Sequence, residues 1–255
     1  MSGMSGFCAD HRGAGRVLGN SDTCPVCHEE RDDVSAAYAP RPRLLDLFCG
    51  GGGAAMGYWL AGFDIVGVDI AKQPRYPFPF FQADAIEFAK FYGGRFAAIH
   101  ASPPCQAYSR LAARHPDREY PDLVGPTRDV LQAAGVPYVI ENVPEAPLID
   151  PVVFCGSAFN LGTDKYQLRR HRAFETNWPL FNGAGCAHDD RPVISVAGHA
   201  GRASRNNSGS SAERREALAT PWLAGDPLPE AIPPAYTEYI GKQLLAHLEA
   251  LNAAA

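Results

Sequence analysis

Nowhere in the 255 residues does an uninterrupted apolar run approach the length of a bilayer crossing, and no charged-then-apolar leader opens the chain. Neither a membrane-spanning nor a secreted protein is expected, and the chain reads as soluble, intracellular and cytoplasmic, with no membrane partner. A disulfide framework is lacking too, because seven cysteines are an odd number at uneven spacing. Nor is there an excess of positive charge: the formal net charge is −5, so the total gives no hint of nucleic acid. Any such surface has to be local, and Arg169-Arg170-His171-Arg172 and the stretch from Arg202 to Arg215 are the candidates. What remains is an ordinary globular composition, 46% hydrophobic and 20% charged. The length suits one α/β domain with a large core plus a small appendage, and a monomer is expected.

The appendage is residues 1–42, dominated by Gly, Ser, Asp and Arg with no apolar period. Inside it Cys8 and His11 are separated by two residues, as are Cys24 and Cys27, with twelve residues between the pairs. That is the spacing of a small zinc knuckle or ribbon. A segment this poor in apolar residues has little other reason to hold such pairs. One structural zinc on Cys8, His11, Cys24 and Cys27, with His28 as substitute ligand, is the expectation. A disordered leader with incidental cysteines is the alternative.

The main domain, residues 43–172, opens at Arg43-Leu-Leu-Asp-Leu-Phe48, a strand running directly into Cys49 and four glycines, Gly50 to Gly53. Ala54 to Ala61 then reads as a helix closed by Gly62. Strand, glycine turn and helix start a doubly wound, mostly parallel sheet, where glycines let the backbone approach a ligand and the helix N-terminus offers free N–H groups. Phe63 to Val68 is a second strand ending at Asp69, about where such folds place a carboxylate on ribose hydroxyls. Ala71 to Phe81, rich in proline and aromatics, reads as a loop. Asp84 to Tyr92 is a short helix with Asp84 placed for its N-cap.

The chain is organised around His100-Ala-Ser-Pro-Pro-Cys-Gln-Ala-Tyr-Ser109. Arg95 to Ile99 is short and apolar enough for a buried strand, and two prolines hold the chain stiff and extended before Cys105. A thiol so placed suggests a nucleophile, although a free cysteine is more often a small buried packing residue. Leu111 to Gly125, with Arg114, His115 and Arg118, reads as a mobile loop, and Pro126 to Ala134 as a helix. Pro137 to Ile140 is another buried strand and delivers Glu141-Asn142-Val143-Pro144. Asp69, Cys105 and Glu141 thus each follow a buried strand, and a parallel sheet gathers such ends along one rim.

The ordered set Asp46-Leu-Phe48 with its glycines, Pro104-Cys105-Gln106, Glu141-Asn142-Val143 and Arg170-His171-Arg172 resembles the DNA (cytosine-5) methyltransferase family. Ala231-Ile-Pro-Pro-Ala-Tyr236 is similar to that family's last motif, before a helix that returns to the cofactor site. The likeness covers roughly residues 43–250. Two departures stand out: Leu168 occupies the usual place of a glutamine, with Gln167 one position off, and Pro229-Glu230 precede the last motif. The resemblance implies an S-adenosylmethionine-dependent fold and methylation of flipped-out cytosine in double-stranded DNA, of the kind met in restriction–modification. In that frame Cys105 adds to C6 and protonated Glu141 donates to N3, while Arg170 and Arg172 orient the base and its phosphate. Phe48, Gly50, Gly52 and Pro104 would hold the cofactor, with Asp69 on its ribose and Asp84 near its adenine. Gln106 and Asn142 would face the substrate.

Rival readings remain at this level. Amino-methyltransferases place an aromatic after a Pro-Pro, but Cys105 stands in that position here. A cytosine-5 enzyme acting on RNA shares the whole catalytic set. A non-catalytic regulator on the same fold is disfavoured by the intact thiol and acid. Residues 173–229, short of regular structure, form a small target-recognition region holding Arg191, Arg202, Arg205, Arg214 and Arg215, which suits a short, relaxed target. Cys186 and His188 read as incidental. Residues 230–255 supply a last helix, with Ile240, Leu244, Leu245, Leu248 and Leu251 on one face.

Overall fold

The computed structural model describes residues 40–108, 117, 119–183, 185–196, 209–223, 225 and 227–254. The expected zinc ligands Cys8, His11, Cys24, Cys27 and His28 lie outside these, as do Arg114, His115, Arg118, Arg202 and Arg205. Pro42–Ala255 groups as a unit of its own. No helix among the described residues is long and apolar enough to cross a membrane.

The strands are β1 (Arg43–Leu47), β2 (Asp64–Asp69), β3 (Phe80–Gln82), β4 (Ala98–Ala101), β5 (Tyr138–Asn142), β6 (Val152–Phe154) and β7 (Arg172–Thr176). They form one seven-stranded sheet in the order β3-β2-β1-β4-β5-β7-β6. Only β7 is antiparallel to its neighbours β5 and β6. The doubly wound, mostly parallel sheet expected from the sequence is therefore present. Its chain order reverses between β1 and β4, which opens a crevice at their carboxyl ends. Strands β4 and β5 are buried along their whole length, as both-face coverage requires.

The helices are α1 (Gly53–Ala61), α2 (Ala85–Tyr92), α3 (Val124–Ala134), α4 (Ser211–Leu218), the single turn α5 (Pro227–Glu230) and α6 (Pro234–Ala254). One core cluster joins Tyr58 and Phe63 to Tyr236, Ile240 and Leu244 on α6; a second joins Ala85 and Ala89 to Val130 and Leu131. The last helix packs against α1. Thr237 Oγ1 donates to the Ala54 carbonyl at 2.8 Å, and a Cβ on Gly57 would lie 2.0 Å from Thr237 Oγ1. Only glycine permits that approach.

Several local expectations shift. Phe80–Gln82 is a strand paired with β2, not loop, because it completes the sheet edge beside Gly67, Val68 and Asp69. A three-residue strand has too little length to show a period. Strand β4 begins at Ala98, after a 3₁₀ turn at Gly93–Arg95, so His100 and Ala101 are strand and the loop starts at Ser102. Glu141 and Asn142 lie within β5, and α3 starts two residues early, at Val124. The region from 173 onward carries β7, α4 and α5, and the 172/173 boundary cuts through β7. That strand is buried in its middle by pairing on both sides, so it shows no polar alternation to read. Leu251 is 47% exposed, so the packed face of α6 ends before it.

Candidate active site

Three strand ends converge as the sequence requires. After β1 the chain turns through Phe48, Gly50 and Gly52, all at positive φ (54°, 48° and 83°). Phe48 has a side chain, so its left-handed backbone is strained and marks the turn as shaped for a purpose. The turn is fastened to β2: the Gly50 N–H donates to Asp69 Oδ2 at 3.0 Å and the Ala71 N–H to Asp69 Oδ1 at 2.9 Å. A Cβ on Gly50 would meet nothing within 4 Å, so open space faces the backbone there. Asp84 is the N-cap of α2, its Oδ1 accepting from the Glu87 N–H at 2.9 Å, at the end of the adjoining edge strand. Trp222 Nε1 donates to the Gly51 carbonyl at 3.0 Å, which holds the turn from the other side.

Cys105 is half-buried in the loop after β4, and Gln106 opens the turn that follows it. The loop is held from β5: Asn142 Nδ2 donates to the Pro103 carbonyl at 3.0 Å, while Asn142 Oδ1 accepts from the Val143 N–H. Asn142 thus positions the Pro103-Pro104-Cys105 segment. Burial pushes the Cys105 thiol up, with Arg172 pulling it down and Glu141 pushing it further up. The thiol is therefore not pre-ionised by its surroundings, and Arg172 is the cation that favours its thiolate.

Glu141 is buried, and its Oε1 pairs with Arg172 Nε at 2.9 Å. Burial raises its carboxyl, outweighing Arg172, Arg170 and a hydrogen bond from Ser102, which pull the other way. Arg170 also acts on Glu141 but is held by the backbone. Its guanidinium donates to the Val196 and Pro229 carbonyls at 2.8 and 2.7 Å, and burial lowers it to about 9. Arg170 clamps two chain segments beside the site, whereas Arg172 is the one on the acid. Gln167 is also structural, donating to the Asp189 and Arg191 carbonyls, and Leu168 is core.

The sequence reading missed a buried polar line behind these groups. Tyr58 Oη is 3.1 Å from His100 Nδ1, His100 Nε2 is 2.9 Å from Ser102 Oγ, and Ser102 bonds Glu141. His100 is fully buried, and burial lowers it to about 3, so it is neutral. Asp46, next to it across β1 and β4, accepts from Tyr76 Oη at 3.0 Å; burial raises its carboxyl to about 7, and its Oδ1 has no partner. Polar residues inside an otherwise apolar strand were the available signal.

No family model and no curated protein sequence matches the chain. Among solved structures it is similar to a SAM-dependent methyltransferase from Agrobacterium tumefaciens, with 20% identity and a TM-score of 0.28 over 42% of this chain and 40% of that one. It is also similar to a conserved hypothetical protein of Streptococcus pyogenes, with 20% identity and a TM-score of 0.34 over 55% and 86%. A methyltransferase of Entamoeba histolytica aligns with 16% identity and a TM-score of 0.42 over 62% and 59%.

Proposed function

We propose that the protein transfers a methyl group from S-adenosylmethionine to C5 of cytosine in DNA through a covalent bond to Cys105. The observation that carries the reading is the joint placement of a half-buried thiol after β4 and a buried carboxyl in β5, with Arg172 acting on both. The cofactor-binding residues fit as well. The left-handed turn at Phe48 to Gly52 leaves open space before Gly50, and Asp69 closes it at the neighbouring strand end. When bound, the cofactor supplies an electrophilic methyl on a sulfonium.

The chain's residues do the rest. The Cys105 thiol gives up its proton, and the thiolate bonds to C6 of the flipped base. Glu141, whose carboxyl burial raises, donates a proton to N3 and takes negative charge off the ring, so that C5 becomes nucleophilic. C5 takes the methyl; solvent takes the C5 proton as the Sγ–C6 bond breaks, N3 returns its proton to Glu141, and the thiolate is restored. His100, neutral, and Ser102 hold Glu141 from behind.

Incubation with methyl-labelled S-adenosylmethionine and either DNA or RNA, followed by digestion to nucleosides, tests the reading. Labelled 5-methyldeoxycytidine is expected. Label only in 5-methylcytidine would move the substrate to RNA, and label on an exocyclic amine would sink the covalent mechanism.

A further inference from the structure

Farther along the same sheet rim, beyond Glu141 and Arg172, four side chains remote in sequence come together: Cys155, His171, Cys186 and His188. Their ligand atoms all lie within 4.8 Å of one another. Cys155 Sγ is 3.3 Å from His188 Nε2, and Cys186 Sγ is 3.3 Å from His171 Nε2. We propose that these four residues form a structural zinc site of two thiolates and two imidazoles. A tetrahedral zinc with Zn–S near 2.3 Å and Zn–N near 2.0–2.1 Å sets its ligand atoms roughly 3.3–3.8 Å apart. The two cysteine–histidine contacts already meet that spacing. Cys186 and His188 are exposed, which gives the ion an entry path and the ligands freedom to close.

The surroundings are those of a ligand set rather than of chance neighbours. Both histidines turn Nε2 inward. Ser157 Oγ lies 3.1 Å from Cys155 Sγ and accepts the N–H of Ala187, the residue between the Cys186 and His188 ligands. With its lone pair on that N–H, the Ser157 hydroxyl is free to donate its proton to the sulfur, as a thiolate ligand requires. Gln167 Nε2 holds the Asp189 carbonyl just past His188. Two thiolates balance the ion's charge, and a full set of four protein ligands leaves no open position, which marks a structural rather than a catalytic centre.

The ion would join three separate pieces of chain: the residue after β6, the residue before β7, and the Cys186-Ala-His188 segment. His171 lies between Arg170 and Arg172, so the site fixes the backbone that carries both arginines. This assignment is independent of the proposed methyl transfer. It replaces the reading of Cys186 and His188 as incidental, which had no way to see Cys155 and His171 beside them.

The test uses the full chain carrying Cys24→Ser and Cys27→Ser, which disables the candidate ligands of the leader. Elemental analysis of the purified protein should give one zinc per chain, falling to background on adding Cys186→Ser or, separately, His188→Ala. Both of those side chains are exposed, so loss of the ion, not of a packed core, is the expected effect. Cobalt reconstitution should show tetrahedral d–d bands with thiolate charge transfer, absent after Cys186→Ser. No stoichiometric metal in the starting protein, zinc retained after both substitutions, or a Cys155–Cys186 disulfide in the unreduced chain would each overturn the proposal.

Discussion

Asp46 and His100 are register partners on β1 and β4, both fully buried, and burial moves them in opposite directions. His100 falls from 6.5 to about 3, so its contribution to stability is lost as pH drops from 6.5 toward 3, on the order of 1 kcal/mol per pH unit. Asp46 rises from 3.8 to about 7, so its contribution is full below 3.8 and lost as pH rises toward 7. Between about 4 and 6.5 the two slopes oppose each other. Denaturant titrations of His100→Gln across this range should show stability decreasing with rising pH more steeply than in the unaltered protein; identical slopes would mean that His100 does not stay neutral. Under the proposed function, Cys105→Ser should lower turnover by at least about 10⁴-fold while leaving cofactor affinity nearly unchanged. On the same reading, the raised Cys105 thiol should make methyl transfer climb as pH rises above neutral, since the thiolate is the attacking form. A rate that falls over that limb would speak against thiolate attack. Asp69→Ala, which removes the carboxylate at the end of β2, should weaken S-adenosylmethionine binding roughly 10–100-fold by calorimetry.

Among the elements, α1 and α6 carry the closest fit. Gly57 faces Thr237 and Pro234 at distances no Cβ tolerates, and a Cβ on Gly241 would lie 2.6 Å from Ala61 Cβ. A Gly57→Ala change has to push α6 away from the helix that starts at the glycine turn. Overpacking of this kind costs about 1–3 kcal/mol and should lower the melting temperature by several degrees in calorimetry. Gly125→Ala is the control, since nothing lies within 4 Å of a Cβ there and the residue is in the first turn of α3. Equal effects of the two changes would show that helix propensity, not the α1–α6 contact, sets the result.

At the scale of the whole molecule, described residues between 173 and 229 help build the site's architecture. Strand β7 fills the sheet, Val196 and Pro229 anchor Arg170, and Trp222 holds the glycine turn. Two arginines of this region are bonded within the protein: Arg191 to Asp189 and the Thr163 carbonyl, and Arg214 to the Gly209 carbonyl. Under the proposed function, Gly- and Ser-rich sequence carrying a handful of arginines suits phosphate contact with a few guanine contacts. Bisulfite mapping of treated DNA should therefore reveal a target of only a few base pairs, and a long, strictly required site would contradict that.

The sequence alone determined the strand–glycine–helix start, the strands that lead to Asp69, Cys105 and Glu141, and the N-cap at Asp84. Each of these is local, written in a handful of adjacent residues whose apolar runs and turn chemistry leave little choice. Tertiary structure decided what depends on partners far along the chain. Strands β3 and β7 exist because a neighbour pairs with them, Arg170 and Arg172 part company because different carbonyls and acids face them, and Asn142 turns to the proline loop. Cys155, His171, Cys186 and His188 form a cluster for the same reason: spacing shows a ligand set only when its members are near in sequence, and here the sheet edge brings them together.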